Sequence, residues 1–139
     1  MELLLINDGS SDRSEEVCRK FQQKHKNIRY FYQKNSGVSA ARNVGLFEAQ
    51  GEYVLFVDSD DYVVSTYFES IDNVLSRGPV DLLLFGEQYT SGINVKPVFI
   101  EALKGDELDV YQKVNCLFRN LQLNALPAKI FRKEIIQRL

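Results

Sequence analysis

Short apolar runs alternate with amphipathic segments through the first 85 residues of the chain. Three of these runs, "ELLLIND", "IRYFY" and "EYVLFV", have the length of strands. The first is apolar almost without interruption until it ends in polar residues, which is typical of a strand buried on both faces of a parallel sheet. Segments with helical spacing separate the runs. This alternation predicts an α/β fold with a mostly parallel sheet flanked by helices.

Residue preferences at the segment ends locate three helices. Asp12 and Glu15 fit a D-x-x-E capping box at the start of the first helix. The second helix is predicted over residues 38–50, where small residues allow close packing. The third is predicted to begin after Ser65, as its N-cap, and to end at Gly78.

Further elements are predicted in the second half of the chain. A fourth strand is expected over residues 80–90, with an antiparallel partner over 94–100. A helix is expected over 106–121. The tail from residue 127 to 139 reads as a short strand or turn, followed by the start of a helix.

Composition favours one globular domain with a packed core. The chain has 139 residues, of which 45% are hydrophobic and 26% are charged. A net charge of -2 disfavours nucleic acid as a partner, and no apolar run approaches the roughly 20 residues of a membrane span. Cys18 and Cys116 lack metal-binding or redox spacing, so free thiols in a reducing compartment are expected.

Acidic residues follow two of the predicted strands. Asp8 lies in "INDGSSD" after the first strand, and Asp58, Asp60 and Asp61 lie in "VDSDD" after the third. Ligands bind outside the carboxyl ends of strands in open α/β sheets, so both motifs can line one crevice. Three carboxylates this close repel one another unless a cation or hydrogen-bond donors offset the repulsion. Two interpretations stay open here: a divalent metal site, or the solvated end of a strand.

Other functions for these aspartates are less well supported. An EF-hand loop starting at Asp58 is excluded, because Tyr62 and Val63 occupy positions that need an oxygen ligand and a glycine. An aspartate-dependent phosphoryl-transfer enzyme also places D-x-D after a strand. No later acidic pair completes a metal site of that kind in this sequence.

Three segments together resemble glycosyltransferase family 2. They are "LLLINDGSSD", "KNSGVSAARNVGLFEAQGEYVLFVDSDDYV" and "PAKIFRKEII". The resemblance covers most of the chain and is strongest from Glu2 to Val63. It implies the Rossmann-like GT-A fold and an inverting enzyme that moves a sugar from a nucleotide-sugar donor to a hydroxyl on a glycan or polysaccharide acceptor. The expected organisation is a single partial GT-A domain over 1–139, with the nucleotide-sugar-binding part in 1–64 and the remainder in 65–139.

The resemblance also implies a role for Asp8 and for the D-x-D motif. Asp8 matches the aspartate that contacts the nucleotide base, and a carboxylate can accept the imide N–H of uracil, which favours a UDP-sugar. Asp60 matches the main ligand of Mn²⁺ or Mg²⁺, both of which prefer oxygen ligands. Asp58 is expected to face the metal, its waters or the ribose. Asp61 is expected to help bind the metal or to orient the sugar.

The remaining expected donor-site residues lie in two loops and one helix. Gly9 permits a tight turn beneath the nucleotide, and Asn35 and Gly37 shape the neighbouring loop. Arg42 is expected near the base and phosphates, where a guanidinium donates a fixed fork. Lys129 and Arg132 match a basic segment of the family. Two interpretations of this pair stay open: contact with phosphate, or a solvated helix start.

Two parts of the family pattern do not appear in this sequence. They are a strand and helix before Glu2 and a downstream acidic motif that carries the general base. We therefore name no catalytic base. We expect an N-terminally truncated GT-A domain that is inactive by itself, with a non-catalytic nucleotide-binding fragment as the alternative. The expected location is the cytoplasm, or the inner face of the membrane if the full-length protein associates with it peripherally.

Overall fold

The computed structural model describes residues 1–61, 63–84 and 129–137. From β1 to β4 its elements alternate between strand and helix, as the apolar pattern predicts. In chain order they are β1 (Leu3–Asp8), α1 (Ser14–Lys24), β2 (Ile28–Gln33), α2 (Val38–Glu48), β3 (Tyr53–Leu55), α3 (Tyr67–Leu75), β4 (Leu82–Leu84), β5 (Lys129–Arg132) and α4 (Lys133–Ile136). The strand predicted over 94–100, the helix predicted over 106–121 and Cys116 lie outside the described residues.

The chain divides into two compact units, Met1–Val54 and Leu55–Leu139. In the first unit, β1 and β2 pair in parallel from Leu3 opposite Ile28 to Asp8 opposite Gln33. Helix α2 packs on β1, and α1 packs mainly on β2. Because the two strands end level with each other, the side chains of their last residues can meet at one edge of the sheet.

Glu2, which precedes β1, and Arg29 of β2 hold the end of α2. The Arg29 guanidinium donates to the carbonyl oxygen of Glu48 at 2.8 Å and to its carboxylate at 2.7 Å. Glu2 Oε1 accepts from the backbone N–H groups of Gln50 and Gly51 at 2.6 and 3.0 Å. The helix therefore ends at Glu48 rather than at residue 50, because side chains satisfy the backbone groups that another half-turn would have used.

The start of α1 corrects the predicted capping box. The helix begins at Ser14 without a side-chain cap, and Asp12 Oδ1 accepts from the Ser14 N–H at 2.9 Å. Glu15 does not reach back to Asp12. It accepts from Arg19 Nε at 2.8 Å instead, and the Arg19 guanidinium lies 4.8 Å from the centre of the Tyr30 ring. Glu15 is thus engaged in an ion pair whose arginine also contacts β2, and the Asp12 carboxylate alone accepts from the backbone here.

The second sheet has the strand order β3-β5-β4. β4 and β5 are antiparallel, with Leu83 opposite Ile130. Val80, Leu83, Ile130 and Ile71 of α3 are buried in this unit. Helix α3 is shorter than predicted at both ends, with Thr66 instead of Ser65 as its N-cap. The short strand and helix predicted in the tail are present as β5 and α4. Within the described ranges, no helix has the length and hydropathy needed to cross a bilayer.

Gly45 in α2 offers a test of the packing between α2 and β1. A Cβ built on Gly45 would lie 3.6 Å from Ile6 Cγ1, an ordinary van der Waals contact. Close packing therefore does not require glycine here, and Gly45→Ala should raise the free energy of unfolding by about 0.4–1 kcal/mol, because alanine loses less backbone entropy on folding. Urea denaturation measures the change. A lower unfolding midpoint for the variant would contradict this packing.

Candidate functional site

Asp8 connects the ends of both strands of the first unit to the start of α2. Its Oδ1 accepts from Gln33 Nε2 at 2.7 Å and from the backbone N–H of Ser36 at 2.8 Å. Its Oδ2 accepts from the backbone N–H of Gly37, the N-cap of α2, at 2.9 Å. One carboxylate thus fixes the loop between β2 and α2.

These donors hold the pKa of Asp8 below its ordinary value. The Gln33 amide is the largest cause, and the Ser36 and Gly37 N–H groups add to it against a smaller opposing effect of desolvation. The side chain is therefore ionised at neutral pH. Its negative charge lies at the amino end of α2, where the helix dipole favours an anion.

The Asp8 carboxylate keeps room for a further donor. A carboxylate offers about four acceptor positions. Among the described residues, Oδ1 has two donors and Oδ2 has one. One acceptor position therefore remains, on Oδ2, and the side chain is only partly buried.

Asn7 supports the same turn from the opposite face of β1. It is buried, with 6% of its surface exposed. Its Nδ2 donates to the Tyr30 hydroxyl at 2.9 Å, and its Oδ1 accepts from the Ser10 N–H at 2.8 Å. Sequence reasoning did not single out Asn7. The available signal was an Asn before Asp-Gly at a strand end, where an Asn side chain often closes a turn by bonding to the backbone.

Two glycines set the backbone path around Asp8. Gly9 has φ of +74°, and a Cβ on it would lie 2.7 Å from the backbone nitrogen of Asn35. Gly37 has φ of 88° and ψ of 161°, a region that essentially only glycine occupies. The structure thus brings Asp8, Gly9, Asn35 and Gly37 into one cluster. Their contacts with a nucleotide stay a prediction.

Arg42 lies on α2, the helix whose start is bonded to Asp8, and it is partly buried. It belongs to the second helical turn, five residues after Gly37. That distance along the helix axis is about 7.5 Å, at 1.5 Å per residue. The fold therefore places Arg42 on the element next to the Asp8 cluster, and its contact with base and phosphates stays a prediction.

The three aspartates after β3 form an exposed turn in the second unit. The Asp61 N–H donates to the Asp58 carbonyl oxygen at 3.0 Å and closes the turn. Asp58 is partly buried, whereas Asp60 and Asp61 are exposed. Asp8 lies in the first unit, so the expectation that both motifs line one crevice stays a prediction.

The carboxylate oxygens of this turn are the kind of ligand that a hard cation such as Mg²⁺ prefers. In the part of the chain that the structure describes, no group of three or more His, Cys, Asp or Glu side chains is arranged to hold a metal ion. Asp58 and Asp60 supply carboxylate oxygens, as Mg²⁺ sites use when substrate phosphates and waters complete the coordination. A metal held here together with a diphosphate stays a prediction.

Lys129 of the basic pair in the tail does not lie at a solvated helix start, whereas Arg132 is the N-cap of α4. Lys129 and Arg132 belong to β5, and helix α4 begins only at Lys133. Lys129 is buried, with 5% of its surface exposed. Arg132 donates its backbone N–H to the Asp81 carbonyl oxygen at 2.9 Å, and its Nη1 lies 3.2 Å from Asp81 Oδ1. The interpretation of Lys129 as part of a solvated helix start is therefore wrong, because β5 pairs in a sheet and buries Lys129.

Tyr67 in α3 is not suited to act as a base. Burial raises the pKa of its hydroxyl to about 12. The phenol therefore stays protonated at neutral pH, where it can donate a hydrogen bond but cannot remove a proton from an acceptor hydroxyl.

A family profile described as "Glycosyl transferase family 2" matches residues 1–139. The chain belongs to glycosyl transferase family 2. Two solved structures share its fold: S. aureus TarS 1-349 in complex with UDP, and the same protein in complex with UDP-GlcNAc. Their TM-scores are 0.69 and 0.70, each at 26% sequence identity. The matched regions cover 99% of this chain but only 39% and 38% of the two TarS chains. The expected GT-A fold is confirmed.

Curated relatives from several bacteria are similar to this family 2 chain. Glycosyltransferase GlyA of Streptococcus pneumoniae is 37% identical over 123 residues, which cover 87% of this chain and 17% of GlyA. Cholesterol galactosyltransferase of Borreliella burgdorferi is 37% identical over an alignment of 147 residues, gaps included, which covers 97% of this chain and 40% of that protein. Minor teichoic acid biosynthesis protein GgaB of Bacillus subtilis is 38% identical over 106 residues, covering 71% of this chain and 12% of GgaB. The chain thus spans less than half the length of these relatives.

Replacing Gly9 should damage the Asp8 cluster. Gly9→Ala forces a side chain into a positive-φ position and against the Asn35 backbone, and such strained positions cost about 1–3 kcal/mol each. Urea denaturation should show a lower free energy of unfolding, opposite in sign to the change expected for Gly45→Ala. Equal behaviour of the two alanine variants would contradict the close approach of Gly9 to Asn35.

The hydrogen bonds to Asp8 should have a characteristic pH dependence. Because folding lowers the pKa of this carboxyl, the bonds to Ser36 and Gly37 should persist at every pH above the ordinary value of 3.8 and be lost only as the pH falls through the lower folded value. The amide chemical shifts of Ser36 and Gly37 measure this titration, which Asp8→Asn should abolish. A midpoint at or above 3.8 would show that the three donors do not stabilise the ionised form.

Proposed function

We propose that this chain is the donor-binding part of a glycosyltransferase that takes a sugar from a nucleoside-diphosphate donor, with uridine as the favoured nucleoside. The observation that carries the proposal is the ionised Asp8 carboxylate, fixed by three donors beside the start of α2 and still able to accept one more. Family membership over the full chain supports it, as does the likeness to a protein solved with UDP and UDP-GlcNAc.

In this proposal each side chain near the donor has a separate task. Asp8 accepts the imide N–H of the base and fixes its orientation. Gly9 and Gly37 have no side chain, so the nucleobase can approach the backbone closely. Arg42 contributes a permanent positive charge toward the base and phosphates. No described residue is assigned as the general base that removes the proton from the acceptor hydroxyl.

Asp58, Asp60 and Asp61 would hold Mn²⁺ or Mg²⁺ together with the diphosphate. Asp60 is the proposed main ligand, Asp58 a ligand or a partner of the ribose, and Asp61 a further ligand or a partner of the sugar. When bound, a divalent cation stabilises the negative charge that develops on the diphosphate leaving group. Exposure of Asp60 and Asp61 supports this assignment, because both carboxylates are accessible to a ligand.

The proposed acceptor is a hydroxyl group of a glycan, a polysaccharide or a lipid. The similar proteins differ on this point, since one is named a cholesterol galactosyltransferase and another a minor teichoic acid biosynthesis protein. Acceptor choice therefore does not follow from the part of the sequence that they share. A glycan or polysaccharide acceptor, and peripheral membrane association of the full-length protein, stay proposals.

Nucleotide binding should depend on metal through the aspartate turn. Calorimetry with UDP should show an affinity on the order of tenfold higher with Mn²⁺ than without it, because each component supplies ligands or charge that the other lacks. Asp60→Ala should remove most of this gain.

The matched control is Asp72→Ala, which removes an exposed aspartate of α3 and should leave the Mn²⁺ effect intact. If UDP binds equally well with and without Mn²⁺, and equally well to Asp60→Ala, the metal assignment is wrong. Binding that persists without any sugar transfer or donor hydrolysis would favour a non-catalytic nucleotide-binding role.

A further inference from the structure

Gln33 is the only side chain among the three donors to Asp8. Its Nε2 lies 2.7 Å from Oδ1, whereas Ser36 and Gly37 donate through the backbone. The contact follows from the parallel register, which places Asp8 opposite Gln33 at the ends of β1 and β2. The amide must present its NH₂ group to the carboxylate, because its carbonyl oxygen would be repelled.

Occupation of Oδ1 limits what Asp8 can offer a base. With both positions of Oδ1 used by Gln33 and Ser36, the remaining acceptor position is on Oδ2. The carboxylate can therefore accept a single N–H from a ligand. It cannot accept two parallel N–H groups, one on each oxygen, as a free carboxylate does.

The nucleobases differ in the donors that they present to a carboxylate. Uracil presents one imide N–H between two carbonyl groups. Guanine presents a ring N–H and an adjacent amino N–H, which together match both oxygens of a carboxylate. Cytosine presents an amino N–H beside a ring nitrogen without a proton, and the lone pair of that nitrogen repels the carboxylate. A donor left without an acceptor in a binding site lowers affinity.

We infer that Gln33 determines base selectivity at this site by occupying Oδ1 of Asp8, so that the site accepts uracil and discriminates against guanine. The inference rests on the proposed function, in which Asp8 contacts the base. Gln33 is a positioning residue, because it acts on the base only through Asp8. Replacing Gln33 frees an acceptor position on Asp8 Oδ1 for the second donor of guanine.

The test is competition binding of UDP, GDP and CDP to the protein produced from its complete natural reading frame. In Gln33→Met, which keeps the side-chain length but has no donor, the ratio of UDP affinity to GDP affinity should fall on the order of tenfold. Gln33→Lys retains an N–H donor and should restore the preference for UDP. Gln23→Met makes the same chemical change at an exposed position of α1 and should leave the ratio unchanged.

The outcomes separate this inference from the proposed function. If the unaltered protein binds none of the three nucleotides, the proposed function fails and the inference fails with it. If the unaltered protein prefers UDP and Gln33→Met weakens UDP and GDP equally, Gln33 has a structural role only and the inference alone is overturned. A preference of the unaltered protein for GDP would also overturn it. A changed ratio in Gln33→Met, reversed in Gln33→Lys, supports it.

Discussion

The first unit depends on one ionised carboxylate that bridges three chain segments. Asp8 at the end of β1 accepts from the end of β2 and from the loop that starts α2. Its pKa is lowered by these same donors, so the charge and the loop conformation stabilise each other. If the carboxylate were absent, the Ser36 and Gly37 N–H groups would lose the acceptor that bonds the start of α2 to the end of β1.

The two ends of α2 are held by different chemistry. At its start, the Asp8 carboxylate faces the helix dipole, and Gly9 and Gly37 adopt backbone conformations that other residues rarely reach. At its end, Arg29 binds the last carbonyl group and is itself paired with Glu2 and Glu48. The helix is thereby fixed at both ends by charged side chains.

The two acidic motifs differ in the kind of binding partner that each can still accept. The Asp8 carboxylate is largely satisfied by N–H donors and has one acceptor position left, which suits a single donor on a base. Asp60 and Asp61 are exposed carboxylates in a tight turn, and their mutual repulsion favours a cation. In the proposed function, a nucleoside base supplies the N–H donor for Asp8, and a divalent metal supplies the positive charge for the aspartate turn.

The amino-acid sequence by itself determined the local features of this protein. Alternating apolar and amphipathic segments predicted the strands and helices of the α/β fold, and the quoted motifs indicated the family and gave Asp8 and Asp58 as candidate site residues. Only the tertiary structure decided the contacts between segments distant in sequence. The register of β1 and β2 joins Asp8 to Gln33, the Arg19 guanidinium of α1 lies over the Tyr30 ring of β2, and the sheet buries Lys129. Sequence patterns report local preference and periodicity, whereas these contacts depend on which side chains the assembled sheet brings within hydrogen-bonding distance.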